Sequence, residues 1–190
     1  MKKFDIKEVL VPTLSLFLIC TIVTLLLAIT NSVTEPQIEK LQIETANKTK
    51  SAVLSVADSF SDEKTAELDG VAYTYYEGYD AEENVIGYVF TTSAKGYGGE
   101  IVTMVGVKAD GTVSGMDFLS ISETAGLGMN ADADEFKNQY VGKSGEIGVN
   151  KNAPAENEIQ ALTGATITSK AVTEAVNIAL ELFEEVGKNG

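Results

Sequence analysis

The chain has 190 residues, 14 Lys, no Arg and 28 acidic residues, for a net charge of -14. A surface so acidic disfavours nucleic acid, because phosphate binding needs clustered cations. His and Trp are absent and Cys20 is the single cysteine, which excludes a Ser-His-Asp or Cys-His nucleophile, a His-ligated metal, a Cys-ligated iron–sulfur cluster and an intrachain disulfide.

From Val9 to Thr34 there is no charged residue, and the run Leu14 to Ala28 is almost wholly apolar. About 20 apolar residues in a helix cross a hydrocarbon core of about 30 Å. Pro12 is expected in the first turn, where its missing N–H costs little. Lys2, Lys3 and Lys7 precede the span, whereas Glu35 and Glu39 follow it before Lys40. That asymmetry predicts a cytoplasmic N-terminus and an extracytoplasmic remainder. The apolar run is longer than a signal peptide's, and Ala28-Ile29-Thr30 is a poor cleavage site, which favours a retained span. Residues 1–34 therefore read as a cytoplasmic N-terminus and transmembrane anchor.

Residues 31–190 hold 11 Lys and 26 acidic residues, so the acidity belongs to the part after the span. Such a surface repels anionic lipid headgroups and suits basic or mixed partner surfaces, although solubility alone explains it equally well. Glu35-Pro36 is expected to start a new element, and the spacing from Ile38 to Phe60 predicts a helical face, giving a linker helix over 35–66. Residues 59–70 read as polar, with a turn at Asp69-Gly70. Strands are predicted over 71–77, 85–92, 101–107 and 113–121, the last two joined by a hairpin at Ala109-Asp110-Gly111. A short helix is expected over 132–141 and a loop over 142–158. The stripe Ala171, Val172, Ala175, Val176, Ala179, Leu182, Phe183 and Val186 predicts a terminal helix, with Thr168 or Ser169 as N-cap and Gly187 as C-cap. The fold class is α+β: one N-terminal transmembrane helix, then a single domain over 67–190 with an antiparallel sheet flanked by helices.

Two constellations carry what chemistry there is. Leu162-Thr163-Gly164-Ala165-Thr166-Ile167-Thr168-Ser169 is a hydroxyl-rich turn that runs into the last helix. Amides and the dipole at a helix N-terminus stabilise a phosphate there, and the plain alternative is a Thr/Ser cap. Ser122-Glu123-Thr124-Ala125-Gly126-Leu127-Gly128 follows a strand and could bring backbone onto a ring or phosphate, or could be an ordinary connection. Gly96-Tyr97-Gly98-Gly99 is either a close-approach loop or a bend. Neither a dinucleotide fingerprint nor a P-loop is present.

A short N-terminus, one span, an outside helix, Gly-Tyr-Gly-Gly, Ser-Glu-Thr-x-Gly-Leu-Gly and Thr-Gly-Ala-Thr before a final helix stand here in one order. That arrangement resembles the RnfG family, the covalent-FMN-binding component of the Rnf complex (the ion-translocating ferredoxin:NAD oxidoreductase), over nearly the whole chain. The resemblance implies a membrane-anchored flavoprotein that transfers electrons within the complex and is not catalytic alone. Its FMN would be joined by a phosphoester to Thr166 by a dedicated flavin transferase. Thr163, Gly164, Ala165, Glu123, Thr124, Gly126, Leu127 and Gly128 would line the flavin, with Tyr97 and Gly98 beside them. Met104, Leu127 or Met129 could supply an apolar ring contact, although each also suits a core. No metal is implied. Partners would be the other components of the membrane complex, the transferase and membrane lipid. Alternative readings are a stand-alone covalent-FMN carrier outside the cytoplasm, the related NqrC component of the sodium-translocating NADH:quinone reductase, and a flavin-free domain that binds a peptide, lipid or partner. The chain departs from the family motif at Gln160, where Asp is usual, and at Ala125, where Pro is usual.

Overall fold

The structure, a computed structural model, describes residues 6–188, so Lys2 and Lys3 of the proposed flank lie outside the described residues. The chain divides into two compact units, one through Glu44 and one from Thr45 onward.

The first unit belongs to helix α1 (Ile6–Val53), the one helix among the described residues long and apolar enough to cross a membrane. Neither proline stands where it was expected. Pro12 and Pro36 lie inside α1 rather than at element starts. Membrane helices tolerate such prolines because neighbouring hydroxyls re-satisfy carbonyls. Next to them Thr13 and Thr34 donate to the carbonyls of Val9 and Thr30, at 2.8 and 3.0 Å, the four-residue back-bond of helical hydroxyls.

The second unit is built on an antiparallel sheet of β1 (Ser59–Phe60), β2 (Lys64–Leu68), β3 (Val71–Tyr79), β4 (Val85–Lys95), β5 (Glu100–Lys108) and β6 (Val113–Ser120). The order is β1-β3-β4-β5-β6, with β2 also paired to β3. A 3₁₀ turn (Gly128–Asp132) and the short α2 (Asp134–Lys137) follow β6. The two-stranded parallel pair β7 (Gly148–Asn150) and β8 (Glu158–Gln160) leads to α3 (Thr166–Lys188).

The apolar stripe of α3 packs on one face of the sheet. Val172, Ala175, Val176, Ala179 and Leu182 are buried in one core with Phe90, Ile101, Val105 and Val107. The alanines bring the helix backbone near the strands, so the Thr92 hydroxyl reaches the Ala175 carbonyl at 2.8 Å. Tyr140 is fully buried, and its hydroxyl meets Thr173 Oγ1 at 2.8 Å. Thr173 spends its own proton on the Ser169 carbonyl, so Tyr140 is the donor. Burial pushes the Tyr140 phenol well above its ordinary range. On the opposite face Val53 and Leu54 pack with Val89 and Met104.

Several expectations are corrected. The helical face expected from Ile38 to Phe60 in a linker helix over 35–66 is instead the continuation of α1 and stops at Val53, because the amides of Asp58 and Ser61 bond the backbone of β3 at Tyr79 and Glu77. The stretch read as polar turn holds β1 and β2, although Asp69 and Gly70 do form its turn, with φ of 52° and 79°. Positive φ at both central residues is what a tight hairpin needs. The supposed loop 142–158 contains β7, and the expected helix over 132–141 is only α2 preceded by the 3₁₀ turn. The last helix begins at Thr166, so Thr168 and Ser169 are not its cap, and Gly187 lies inside its last turn.

Candidate functional site

Three connections converge at one end of the sheet. The turn Gly96–Gly99 joins β4 to β5, with the Gly96 amide donating to the Gly99 carbonyl at 2.8 Å. The stretch after β6 turns at Thr124–Leu127, where the Leu127 amide meets the Thr124 carbonyl at 3.1 Å and Gly126 has φ of 76°. The third, Leu162–Ala165, closes by Ala165 N–H to the Leu162 carbonyl at 3.0 Å, with φ of 77° at Gly164. Positive φ at the third residue alone is the type II pattern, which suits glycine there and proline just before it.

Ala125 holds that preceding position, and its amide has no backbone acceptor among the described residues. Ala125→Pro is therefore expected to stabilise the chain by roughly 0.4–1 kcal/mol, by reducing the freedom of the unfolded state. Thermal unfolding of the two chains checks this, with a rise in Tm as the expected result.

Together the three connections frame a cleft of about 510 Å³ lined by Tyr97, Glu123, Thr124, Leu127, Gly128 and residues Gly164 to Thr168. That volume lies within the range of small-molecule sites. Its lining includes apolar side chains that the protein leaves uncovered: Tyr97 is 72% exposed, Ile167 55% and Leu127 44%.

The hydroxyls of the 163–169 segment are sorted by the fold. Ser169 is buried and tied twice, donating to the Ala165 carbonyl at 3.0 Å and accepting from the Leu162 amide at 2.9 Å. Thr168 is buried and donates to Glu123 Oε2 at 3.2 Å. Thr163 is exposed and lines a different cleft, of about 420 Å³, with Gln139 and Gln160. Thr166 is half-buried, lines the first cleft, and has no hydrogen-bond partner for its hydroxyl among the described residues. The amides of Thr166, Ile167 and Thr168, the first of α3, likewise have no acceptor among the described residues. Such orphan donors, with the helix dipole behind them, favour an anion.

Of the residues singled out from sequence, the structure brings Tyr97, Glu123, Thr124, Leu127, Gly128, Gly164, Ala165 and Thr166 to one cleft. It places Thr163 at the neighbouring one and Gly126 in the adjoining turn. Gly98 contributes through its amide, which donates to Glu123 Oε1 at 3.1 Å. Met104 is buried with Val53 and Leu54 on the other face of the sheet, and Met129 is half-buried outside the lining. Ile167 and Thr168 line the cleft although sequence reasoning did not select them. The signal for them was their place in the first turn of a helix that opens on the cleft.

A family model described as an FMN-binding domain matches residues 96–181. The G subunit of the Na(+)-translocating ferredoxin:NAD(+) oxidoreductase complex of Acetobacterium woodii is 34% identical, over 98% of this chain and 97% of its own. The G subunit of the proton-translocating ferredoxin:NAD(+) oxidoreductase complex of Clostridium ljungdahlii is also 34% identical, over 95% of this chain and 94% of its own. Among solved structures, NqrC of Shewanella oneidensis superposes with a TM-score of 0.56 at 20% identity, covering 72% of each chain. The C subunit of the Na(+)-translocating NADH-quinone reductase of Parabacteroides distasonis gives 0.53 at 23% identity, covering 61% of this chain and 63% of that one. At these identities the structural likeness is one of fold.

Proposed function

The chain belongs to the RnfG family, the G subunits of ion-translocating ferredoxin:NAD(+) oxidoreductase complexes, and on that premise we propose that it holds FMN through a phosphoester to Thr166. It is an electron-transfer component of such a complex, with an FMN-binding domain following one N-terminal apolar helix. The domain faces the outside of the cytoplasm, the other components of the complex are its redox partners, and a separate flavin transferase makes the linkage.

The residues of the cleft fit this group. The observation that carries the reading is that Thr166, alone of the four hydroxyls from Thr163 to Ser169, lines the cleft with no bond of its own. Relative to the free chain and free FMN, the ester forms one P–O bond at Oγ1 and breaks another at the phosphate; the threonine proton and the departing phosphate oxygen and its proton together account for one water lost. The unpartnered amides at the start of α3 suit the phosphate oxygens that remain charged. Tyr97, Leu127 and Ile167 offer apolar surface to a flat ring system, and the bound group would cover them from water. When bound, the flavin supplies one- and two-electron chemistry that a chain without His, metal-site cysteines or Trp cannot supply itself. The chain's own work is to hold and orient it. The flank Lys2, Lys3 and Lys7 against Glu35 and Glu39 supports the orientation across the membrane.

The intact mass of the chain purified from its native host tests the reading. The expected result is an increment of one FMN less one water, localised by digestion to the peptide that contains Thr166. An unmodified mass from a functioning complex would overturn it.

A further inference from the structure

The side chain of Glu123 ties the β4–β5 turn and the start of α3 to the stretch after β6. Its Oε1 accepts the amides of Tyr97 and Gly98, at 2.8 and 3.1 Å, and its Oε2 accepts the Thr168 hydroxyl at 3.2 Å. The β4–β5 turn and the first turn of α3 thus meet on one carboxylate carried by the stretch after β6. The neighbouring glycines are shaped around it. A Cβ at Gly96 would fall on Glu123 Oε1, and one at Gly98 would fall on the Ser122 carbonyl. A Cβ at Gly128 would stand 2.7 Å from both Glu123 Oε2 and Thr168 Oγ1. Bare backbone at Gly96 and Gly128 is what lets this carboxylate in, and at Gly98 it admits the backbone that carries it. Sequence alone suggested that these glycines admit a ligand; in the folded chain they first admit Glu123.

We propose that Glu123 is a positioning residue: it holds the Tyr97 turn and the Thr166 turn in fixed register around the cleft, and sets its carboxylate beside the cofactor. The inference rests on the flavin reading for its second half only. Hydrogen bonds to an ionised acceptor are about twice as strong as neutral ones, so one carboxylate can organise three separate donors. A fixed anion next to a carrier that gains negative charge on reduction disfavours the reduced form, and so lowers its potential.

Two substitutions separate geometry from charge. Glu123→Ala removes every bond, whereas Glu123→Gln keeps an oxygen for the two amides and an N–H for Thr168 while losing the charge. Hydrogen exchange is read by mass spectrometry on the full-length, detergent-solubilised chain in a flavin-free Thr166→Ala background. The peptide covering Gly96–Gly99 should exchange tenfold or more faster in Glu123→Ala, and within threefold of the parent in Glu123→Gln. In the flavin-loaded chain, Glu123→Gln should raise the midpoint potential of the attached FMN. Unchanged exchange in a Glu123→Ala chain with native circular dichroism overturns the proposal, and so does an unmoved potential in Glu123→Gln. Absence of FMN from the native chain would instead remove the Thr166 reading, leaving the exchange result to decide the brace.

Discussion

Thr166→Ala is expected to give a folded chain that carries no covalent flavin. The loss should be complete, because the neighbouring hydroxyls cannot take over. Ser169 is buried and bonded to both ends of its own turn, Thr168 is buried against Glu123, and Thr163 lines the adjacent cleft. Stability should hardly change. Thr166 is half-buried, its hydroxyl has no partner among the described residues, and Ala is the better helix former, so the shift stays within about 0.5 kcal/mol. Thr166→Ser keeps the hydroxyl and should retain attachment. Fluorescence of the denatured band on a gel and intact mass read the first outcome, and Tm reads the second. A Thr166→Ala chain that still carries flavin after denaturation would move the linkage to another residue.

Gly106→Ala is expected to be the costliest small change in the domain outside the site. Gly106 sits in β5 directly opposite Gly115 of β6, and Val53 rests its backbone on that bare patch. A Cβ at 106 would fall on the Val53 carbonyl oxygen, 2.5 Å from Ser114 Oγ and 2.8 Å from the Val53 carbonyl carbon. These neighbours cannot swing aside, since Ser114 Oγ is itself donating to that carbonyl at 2.6 Å. Overpacking of this kind costs about 2–3 kcal/mol. For a unit of this size that is roughly 5–10 °C in Tm. Gly115→Ala, whose Cβ would meet Val53 atoms at 3.1 and 3.2 Å, should lose less. Gly99→Ala, which meets nothing within 4 Å, should be close to neutral and serves as the control. Equal Tm for the substitutions at 106 and 99 would refute the argument.

Periodicity made the larger elements legible. The four long strands and α3 appear in the sequence because Tyr, Val and Phe alternate in β3 to β6 and because Ala171 to Leu182 repeats at helical spacing. The antiparallel α+β arrangement followed from their order. The short pieces were hidden. β1 and β7 are two and three residues long, and their identity comes from tertiary pairing with β3 and β8 rather than from local composition. Proline misled twice, because Pro12 lies beyond the first turn of α1 and Pro36 starts no new element. At the site, Thr-Gly-Ala-Thr and Ser-Glu-Thr-x-Gly-Leu-Gly could be placed beside each other only through resemblance. What spacing could not express was the division of labour among hydroxyls: which is buried, which is bonded, and which stands in the cleft with its oxygen unpartnered. The same holds for Glu123, whose donors lie 25 to 45 residues away along the chain.

The helix that begins at Thr166 is also the one whose later turns fill the core against β4 and β5. A flavin fastened to its first residue, as proposed, would inherit the stillness of a segment packed into the core instead of the slack of a surface loop. For a relay whose hand-over rate depends on separation from its neighbours, this mounting turns interior packing into timing: a void opened under Val176 or Leu182 would be felt as a looser perch for the carrier as well as a weaker fold.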